Sequence, residues 1–278
     1  MTNGLKRVLI GGDFQYPYED KRAVKLWFDV MKRGKFDEIL LTGDVVDFPE
    51  YGRWSEGGTQ EFLNTLPPPP DLTSDGALAK IFENARGGKE FHQKVRDTAG
   101  PDAKITSVLG NHDIRIWNYI DKKLPDLNEH ITPQALWGFK DLGIEHIDYS
   151  ARPLHMWGDI YAHHGVSVSK HAGESVRNDV ENFGVSLIRG HSHRLAYWHK
   201  TFQLTNTIWQ GWEMGHMMDV NCSGAAYDNV HNWGLGFGVA YVEDNPAAGK
   251  SDGKLAHVQT IPITPEYTCV VDGKLFKG

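Results

Sequence analysis

The sequence predicts an α/β (α+β) fold, a four-layer αββα sandwich in which two mixed β-sheets pack together with helices outside. Three observations predict it. Short β-branched apolar runs alternate with amphipathic helical patterns early in the chain, as parallel strands joined by helical crossovers require. After residue 195 the apolar period shortens to two, the period of strands. Asp, Asn and His residues follow directly on the early strand-like runs, which puts a candidate metal site on loops at strand C-terminal ends, where open α/β sheets build their sites.

The elements follow in order. Arg7–Ile10 reads as the first strand. Lys21–Lys32 carries Ala23, Val24, Trp27, Phe28 and Met31 on one helical face, with Gly34 as its expected stop. Glu38–Leu41 is the second strand and completes a β-α-β unit. A surface insertion is expected at about 48–104. It opens on the Tyr51–Gly58 loop, which is expected to bring Arg53 and Trp54 near the substrate. It then passes through Pro67–Pro70, a stiff extended stretch, and continues as a helix over Gly76–Arg96 interrupted at Gly87-Gly88. The strand Ile105–Leu109 precedes a short helix, Ile114–Lys123, that ends before Pro125. Ile160–Ala162 and Ser186–Ile188 are strands, with a helix over Glu174–Phe183 between them. Leu195–Gln203, Leu204–Gln210, Gly236–Glu243, Ala256–Ile263 and Thr268–Phe276 follow as strands, and Asp272-Gly273 is a hairpin turn signal. No repeat or boundary divides the pattern, so 1–278 is expected to form one domain.

Composition narrows the function. The 278 residues are ample for a core, and 40% hydrophobic with 23% charged residues is ordinary globular composition. The formal net charge of −7 argues against a sequence-independent grip on nucleic acid, although bound divalent cations would cancel carboxylate charge locally. The two cysteines, Cys222 and Cys269, form no CxxC pair, so neither a disulfide framework nor a zinc ribbon is indicated. The first residues lack a signal-peptide stretch, and no run approaches the ~20 apolar residues of a membrane span, so a soluble, cytoplasmic protein is expected.

Five blocks of ligand-type residues stand in a set order. They are Gly12-Asp13-Phe14-Gln15, Gly43-Asp44-Val45-Val46-Asp47, Gly110-Asn111-His112-Asp113, His163-His164-Gly165 and Gly190-His191-Ser192-His193. Alone, the last would read as a polar loop with incidental histidines. In the set, the two-residue spacing of His191 and His193 points both the same way, so that they can serve neighbouring metals. From about Val8 to Leu195 the series resembles the calcineurin-like metallophosphoesterases, whose motifs are D-x-H, G-D-x-x-D, G-N-H-D or G-N-H-E, a His-Gly and G-H-x-H. One position departs: Gln15 stands where that family has His. The compact layout and the segment Asn232-Trp233-Gly234-Leu235-Gly236-Phe237 look like phage-encoded and prokaryotic members.

The resemblance implies a binuclear metal-dependent hydrolase of phosphodiester or phosphomonoester bonds, acting by attack of a metal-bridging hydroxide. It implies Asp44 as the bridging carboxylate, with Asp13, Gln15 and His193 on one cation and Asn111, His164 and His191 on the other. His164 is preferred to His163 because the ligand directly precedes Gly. His112 is implied as the catalytic acid, with Asp113 orienting its imidazole, capping the next helix, or both; Asp47 itself reads first as a loop-ordering carboxylate. Carboxylates with imidazoles and no cysteine suit Mn²⁺ first, then Fe²⁺, Zn²⁺ or Ni²⁺. Arg115, Arg189 and Arg194 read either as phosphate clamps or as surface charge. Trp198, Trp209, Trp212 and Trp233 read as core, or as a base-stacking platform. His155, His171, His199 and His216 match no motif and read as structural or surface residues. The expected substrate is a phosphate ester, of nucleotides or nucleic acid. The alternatives are a protein phosphatase, or a catalytically weak metal-binding interaction module, which Gln15 suggests.

Overall fold

The first strand, β1 (Lys6–Gly11), shows how the layers arise. Leu9 joins a core shared with helices, whereas its neighbours Val8 and Ile10 join a second core on the opposite face. A strand buried on both faces needs a layer on each side. The structure, a computed structural model, describes residues 4–51, 77–123, 125–222 and 232–278.

Helix α1 (Lys21–Gly34) is started by Asp20, whose carboxylate accepts from Arg22 N (2.9 Å) and Ala23 N (3.0 Å). It buries Ala23, Leu26, Trp27, Val30 and Met31 against the first sheet and returns the chain to β2 (Glu38–Leu41), parallel to β1. Gly34, expected as the stop, is instead the last helical residue. Lys35 takes the left-handed cap at φ 54°, and glycine at 34 leaves room for the Phe36 ring, which a Cβ there would overlap. Parallel pairing continues through β3 (Lys104–Val108) to β4 (Ile144–Ile147). On the other side of β1 lie β10 (Gly236–Asp244) and then β11 (Lys254–Pro262), both antiparallel to their neighbours, to give a six-stranded mixed sheet.

The second sheet has five strands, in the order β5 (Leu154–Trp157), β6 (Ile160–Ala162), β7 (Ser186–Arg189), β9 (Thr207–Met214) and β8 (Leu195–Phe202). Its strands β6, β7 and β9 are parallel, and the two edges are antiparallel. Ala162, Ile188, Trp212 and Met214 meet Val8, Ile10, Leu40 and Val108 of the first sheet in the core between the sheets. On the outer face, Leu187 packs on Val176 and Val180 of α5 (Glu174–Phe183). The layers therefore run helices, sheet, sheet, helix.

The structure departs from the sequence reading in several elements. The helix α2 (Ala77–Ala99) is continuous through Gly87-Gly88. Those glycines do not break it; they let it approach, since a Cβ at Gly87 would overlap the Tyr16 ring and one at Gly88 would lie 2.6 Å from Val46 Cγ2 and Trp137 Nε1. Nor is this helix superficial, because Ala85, His92 and Val95 are buried. The strand expected from Leu204 begins only at Thr207, with Leu204 fully exposed in the turn. The Asp272-Gly273 turn signal is borne out: the run Thr268–Phe276 folds as a hairpin of β12 (Thr268–Val271) and β13 (Lys274–Lys277), with Asp272 and Gly273 at φ 52° and 70° in the turn. The strands β4 and β5 and the short helix α4 (Pro133–Trp137) were not anticipated. The helix expected over Ile114–Lys123 is α3 (Arg115–Lys123). Arg53, Trp54, most of the Tyr51–Gly58 loop and Pro67–Pro70 lie outside the described residues.

Candidate metal centre

Loops leaving the C-terminal ends of β1, β2, β3, β6 and β7 converge on one buried carboxylate, Asp44. Its Oδ2 lies 3.1 Å from His164 Nε2 and 3.2 Å from Gln15 Nε2, and its Oδ1 accepts from His112 N at 2.8 Å. Asp44, His164 and His191 offer ligand atoms all within 4.8 Å of one another. Asn111 Oδ1 stands 3.2 Å from His164 Nε2 and so joins this half. On the other half, His193 Nε2 is 3.2 Å from Asp13 Oδ1 and 3.4 Å from Gln15 Nε2. All seven sequence-predicted ligands thus gather into two groups joined at Asp44.

The backbone is bent to achieve this. Five of the seven adopt left-handed φ values: Asp13 51°, Gln15 56°, Asp44 52°, His191 71° and His193 58°. Such a conformation costs a non-glycine residue about 1–3 kcal/mol, so the surrounding bonds must hold it in place. Asp13 N donates to Gly43 O (2.8 Å), Gln15 N to Asp44 O (3.0 Å), and His191 N to both Asp13 carboxylate oxygens (3.1 and 3.0 Å). The motif glycines make room: a Cβ at Gly110 would overlap the Asp44 carboxylate, and one at Gly190 the Asp13 carboxylate.

The two adjacent histidines separate as expected. His164 faces Asp44 and is anchored from behind by Thr42 O on Nδ1 (2.7 Å). His163 turns away, with Nε2 on Tyr149 O (3.1 Å) and Nδ1 accepting from Gly165 N (2.9 Å). Burial alone would push His164 down, but the Asp44 charge and hydrogen bond raise it to about 9. Burial likewise opposes ionisation of Asp44, yet His164 and His112 outweigh it and hold that carboxyl well below its usual range. Burial, reinforced by the charge of His164, pushes His191 down to about 2, leaving it neutral, the form in which imidazole binds a metal.

His112 sits at the edge of the cluster, its Nε2 3.9 Å from Asp44 Oδ2. The carboxylate on its Nδ1 is that of Asp47, not Asp113. Asp47 also accepts from Arg115 Nη1 (2.7 Å), and Arg115 Nη2 stands 3.1 Å from His112 Nε2. Burial raises Asp47, but His112 and Arg115 outweigh it and lower its pKa. Asp113 neither touches His112 nor caps α3. It is buried and accepts from Asp44 N (2.7 Å), Gly110 N (2.8 Å) and Val46 N (2.9 Å), tying two ligand loops together. Burial and the Asp44 charge raise it to about 7.

Two of the three arginines are buried and bond to the chain's own loops. Arg189 is fully buried, pairs with Asp179 (2.8 Å) and donates to Ser167 O (2.9 Å) and Gly190 O (3.1 Å). Burial lowers its pKa, with Asp179 opposing. Arg194 is buried and donates to Ser192 O (3.2 Å) within its own loop. Of the three, Arg115 stands beside His112. Sequence reasoning missed two buried carboxylates behind the ligands. Asp179 also accepts from Val166 N and Ser167 N, and Glu213 accepts from Ser192 Oγ (2.6 Å) and Gly173 N (2.7 Å). Their signal was an acid inside an apolar pattern, beside Val180 and between Trp212 and Met214.

The donors suit divalent cations. Two carboxylates, two amide oxygens and three imidazoles are gathered around Asp44. Gln15 Oε1 is buried without a hydrogen-bond partner among the described residues, and a half-turn of the amide aims that oxygen into the same space as its nitrogen. Among the described residues no helix is long and apolar enough to cross a membrane.

A family model described as calcineurin-like phosphoesterase matches residues 6–195. The Gene 54 protein of Mycobacterium phage L5 is 24% identical over 279 residues, covering 98% of this chain and 99% of its own. The Gene 54 protein of Mycobacterium phage D29 is 25% identical over 247 residues, covering 86% and 90%. Among solved structures, a Vps29 single mutant from Entamoeba histolytica aligns at 15% identity with a TM-score of 0.43, covering 97% of this chain and 95% of its own.

Proposed function

The chain belongs to the calcineurin-like phosphoesterases, and from that premise we propose that it hydrolyses phosphate esters of nucleotides or nucleic acid with two divalent cations. The convergence of Asp13, Gln15, Asn111, His164, His191 and His193 around Asp44 carries this reading. Asp44 would bridge the cations, because a two-oxygen anion can neutralise both charges at the short separation such sites use. Asp13, Gln15 and His193 would complete one cation's ligands, and Asn111, His164 and His191 the other's. Mn²⁺ leads the candidates, ahead of Fe²⁺, Zn²⁺ and Ni²⁺. When bound, the cations would supply Lewis acidity toward the phosphate oxygens and toward water.

The chain's own residues do the rest. His112 Nδ1 is held by Asp47, which leaves Nε2 facing the space beside Asp44. From there it can hold a proton for the departing ester oxygen. Arg115 converges on the same nitrogen, so an entering phosphate oxygen meets a guanidinium and an imidazole together. Buried Asp13, Asp44 and His164 sit below the opening, and the partly exposed Asn111, His112 and Arg115 line it.

The test is hydrolysis of bis(p-nitrophenyl) phosphate and of p-nitrophenyl phosphate by Mn²⁺-loaded protein. Turnover of either ester, lost on chelation, supports the reading, and their ratio separates diesterase from monoesterase. Full metal loading without turnover on either ester, or on nucleotide and oligonucleotide esters, would leave the metal-binding interaction module as the better account.

A further inference from the structure

The two candidate metal halves orient their imidazoles by different means. His164 has the usual arrangement: one ring nitrogen faces the site and the other is fixed by a backbone carbonyl, Thr42 O at 2.7 Å. His193 has no such anchor. Its Nε2 faces Asp13 and Gln15, while its buried Nδ1 has no hydrogen-bond partner among the described residues. Its ring is instead held between two other rings. His216 stacks on it at 5.2 Å with planes 25° apart, and Trp233 meets it edge-on at 4.5 Å and 76°. His216 and Trp233 also contact each other, at 5.7 Å and 68°.

These rings are tied to the backbone of the same half-site. Gly234 N donates to His193 O (2.9 Å), His216 N to Gly234 O (3.2 Å), and Met217 N to Asp13 O (3.0 Å). His216 is itself fixed, accepting from Met218 N on Nδ1 (3.1 Å) at 1% exposure. The two segments interlock closely enough that a Cβ at Gly215, whose φ is 77°, would lie 2.5 Å from Gly234 O.

We propose that His216 and Trp233 are positioning residues. They form an aromatic clamp that aims His193 Nε2 at the cation shared with Asp13 and Gln15, in place of a hydrogen bond to the second ring nitrogen. This rests on the metal-site reading above. The clamp bears most on this half because Gln15 leaves His193 as the one imidazole of its candidate ligand set, so loss of its aim is not covered by a second.

The experiment is calorimetric Mn²⁺ titration of the metal-free full-length chain and its variants, with thermal melts as a folding control. Wild type should show two sites. His216→Ala should weaken one site by roughly tenfold to a hundredfold, the scale for losing a group that orients a ligand, and leave the other unchanged. His216→Phe, which keeps the ring but no nitrogen, should restore most of the affinity. Trp233→Ala should weaken the same site as His216→Ala. If both His216 variants bind like wild type, the clamp is refuted. If Phe fails as badly as Ala in a folded chain, the imidazole nitrogen itself is needed and the clamp is again refuted. A wild-type chain that binds no Mn²⁺ would overturn the reading of the whole site, and the clamp with it.

Discussion

Arg189→Met separates a structural arginine from a substrate arginine. Arg189 flanks the last motif, and from sequence it reads equally well as a phosphate clamp. In the structure it is fully buried, opposite an equally buried Asp179 at 2.8 Å, and it donates to two carbonyls of the ligand loops. The substitution would leave the Asp179 charge uncompensated except for its bonds from Val166 N and Ser167 N. Removing one partner of a buried pair costs about 3–5 kcal/mol. At about 2.1 cal/mol/K per residue, the unfolding entropy of this chain is about 0.6 kcal/mol/K, so the melting temperature should fall by roughly 5–8 °C. Arg115→Met is the comparison. Its guanidinium touches Asp47 and His112 at the site opening, so it should lower kcat/KM by roughly tenfold to a hundredfold with little change in melting. Thermal melts of the two variants, with kinetics on one ester, decide the matter. An Arg189→Met protein that melts like wild type but shows a raised KM would refute the structural assignment.

His112→Ala should keep its metals but lose ~10²-fold or more in turnover, less with a p-nitrophenolate leaving group that needs no proton; metal content falling in step would show His112 to be a ligand. Asp47→Asn should act in the same direction by a smaller factor, read from the same assay. Gln15→His should tighten the weaker Mn²⁺ site in titration, since imidazole is the stronger donor, and an unchanged isotherm would remove Gln15 from the ligands. His92 is buried among aromatic rings, and burial lowers its pKa to about 4 from an ordinary 6.5. The unfolded chain therefore takes up that proton first as pH falls, so stability is fully present above pH 6.5 and declines toward pH 4, by roughly 3 kcal/mol. Urea melts of His92→Leu should show a shallower decline over that window than wild type, and an equal slope would assign the loss elsewhere.

The ligand loops were legible in the sequence because each follows a buried strand, and buried strands announce themselves as apolar runs. Glu38–Leu41 and Ile160–Ala162 were bounded correctly for that reason. The short strands β4 and β5 escaped because Glu145, His146 and His155 face solvent there, leaving too few apolar positions to set a period. Glycine misled in one place. At Gly87-Gly88 it suggested a break, whereas its use is close packing on Tyr16, Val46 and Trp137, a contact that only the fold reveals. Within the site, the ligand types could be read and their supports could not. Whether Asp47 or Asp113 reaches His112 depends on the bend of the Asp44 loop, and both acids lie in motifs. The burial of Arg189 depends on Asp179, ten residues earlier on a helix of the outer layer. His216 belongs to no motif, and its place beside His193 arises only when the chain after β9 crosses back over the first metal half.

Asp44 is the shared ligand of two cations in the proposed site. Native mass spectrometry of Mn²⁺-loaded wild type and Asp44→Asn, with hydrolysis of bis(p-nitrophenyl) phosphate on the same samples, tests that claim most directly. Two cations per chain and turnover are expected for wild type, and loss of at least one cation together with turnover for Asp44→Asn, because a neutral amide cannot balance two adjacent divalent charges. Two cations retained in Asp44→Asn with near wild-type turnover would contradict it.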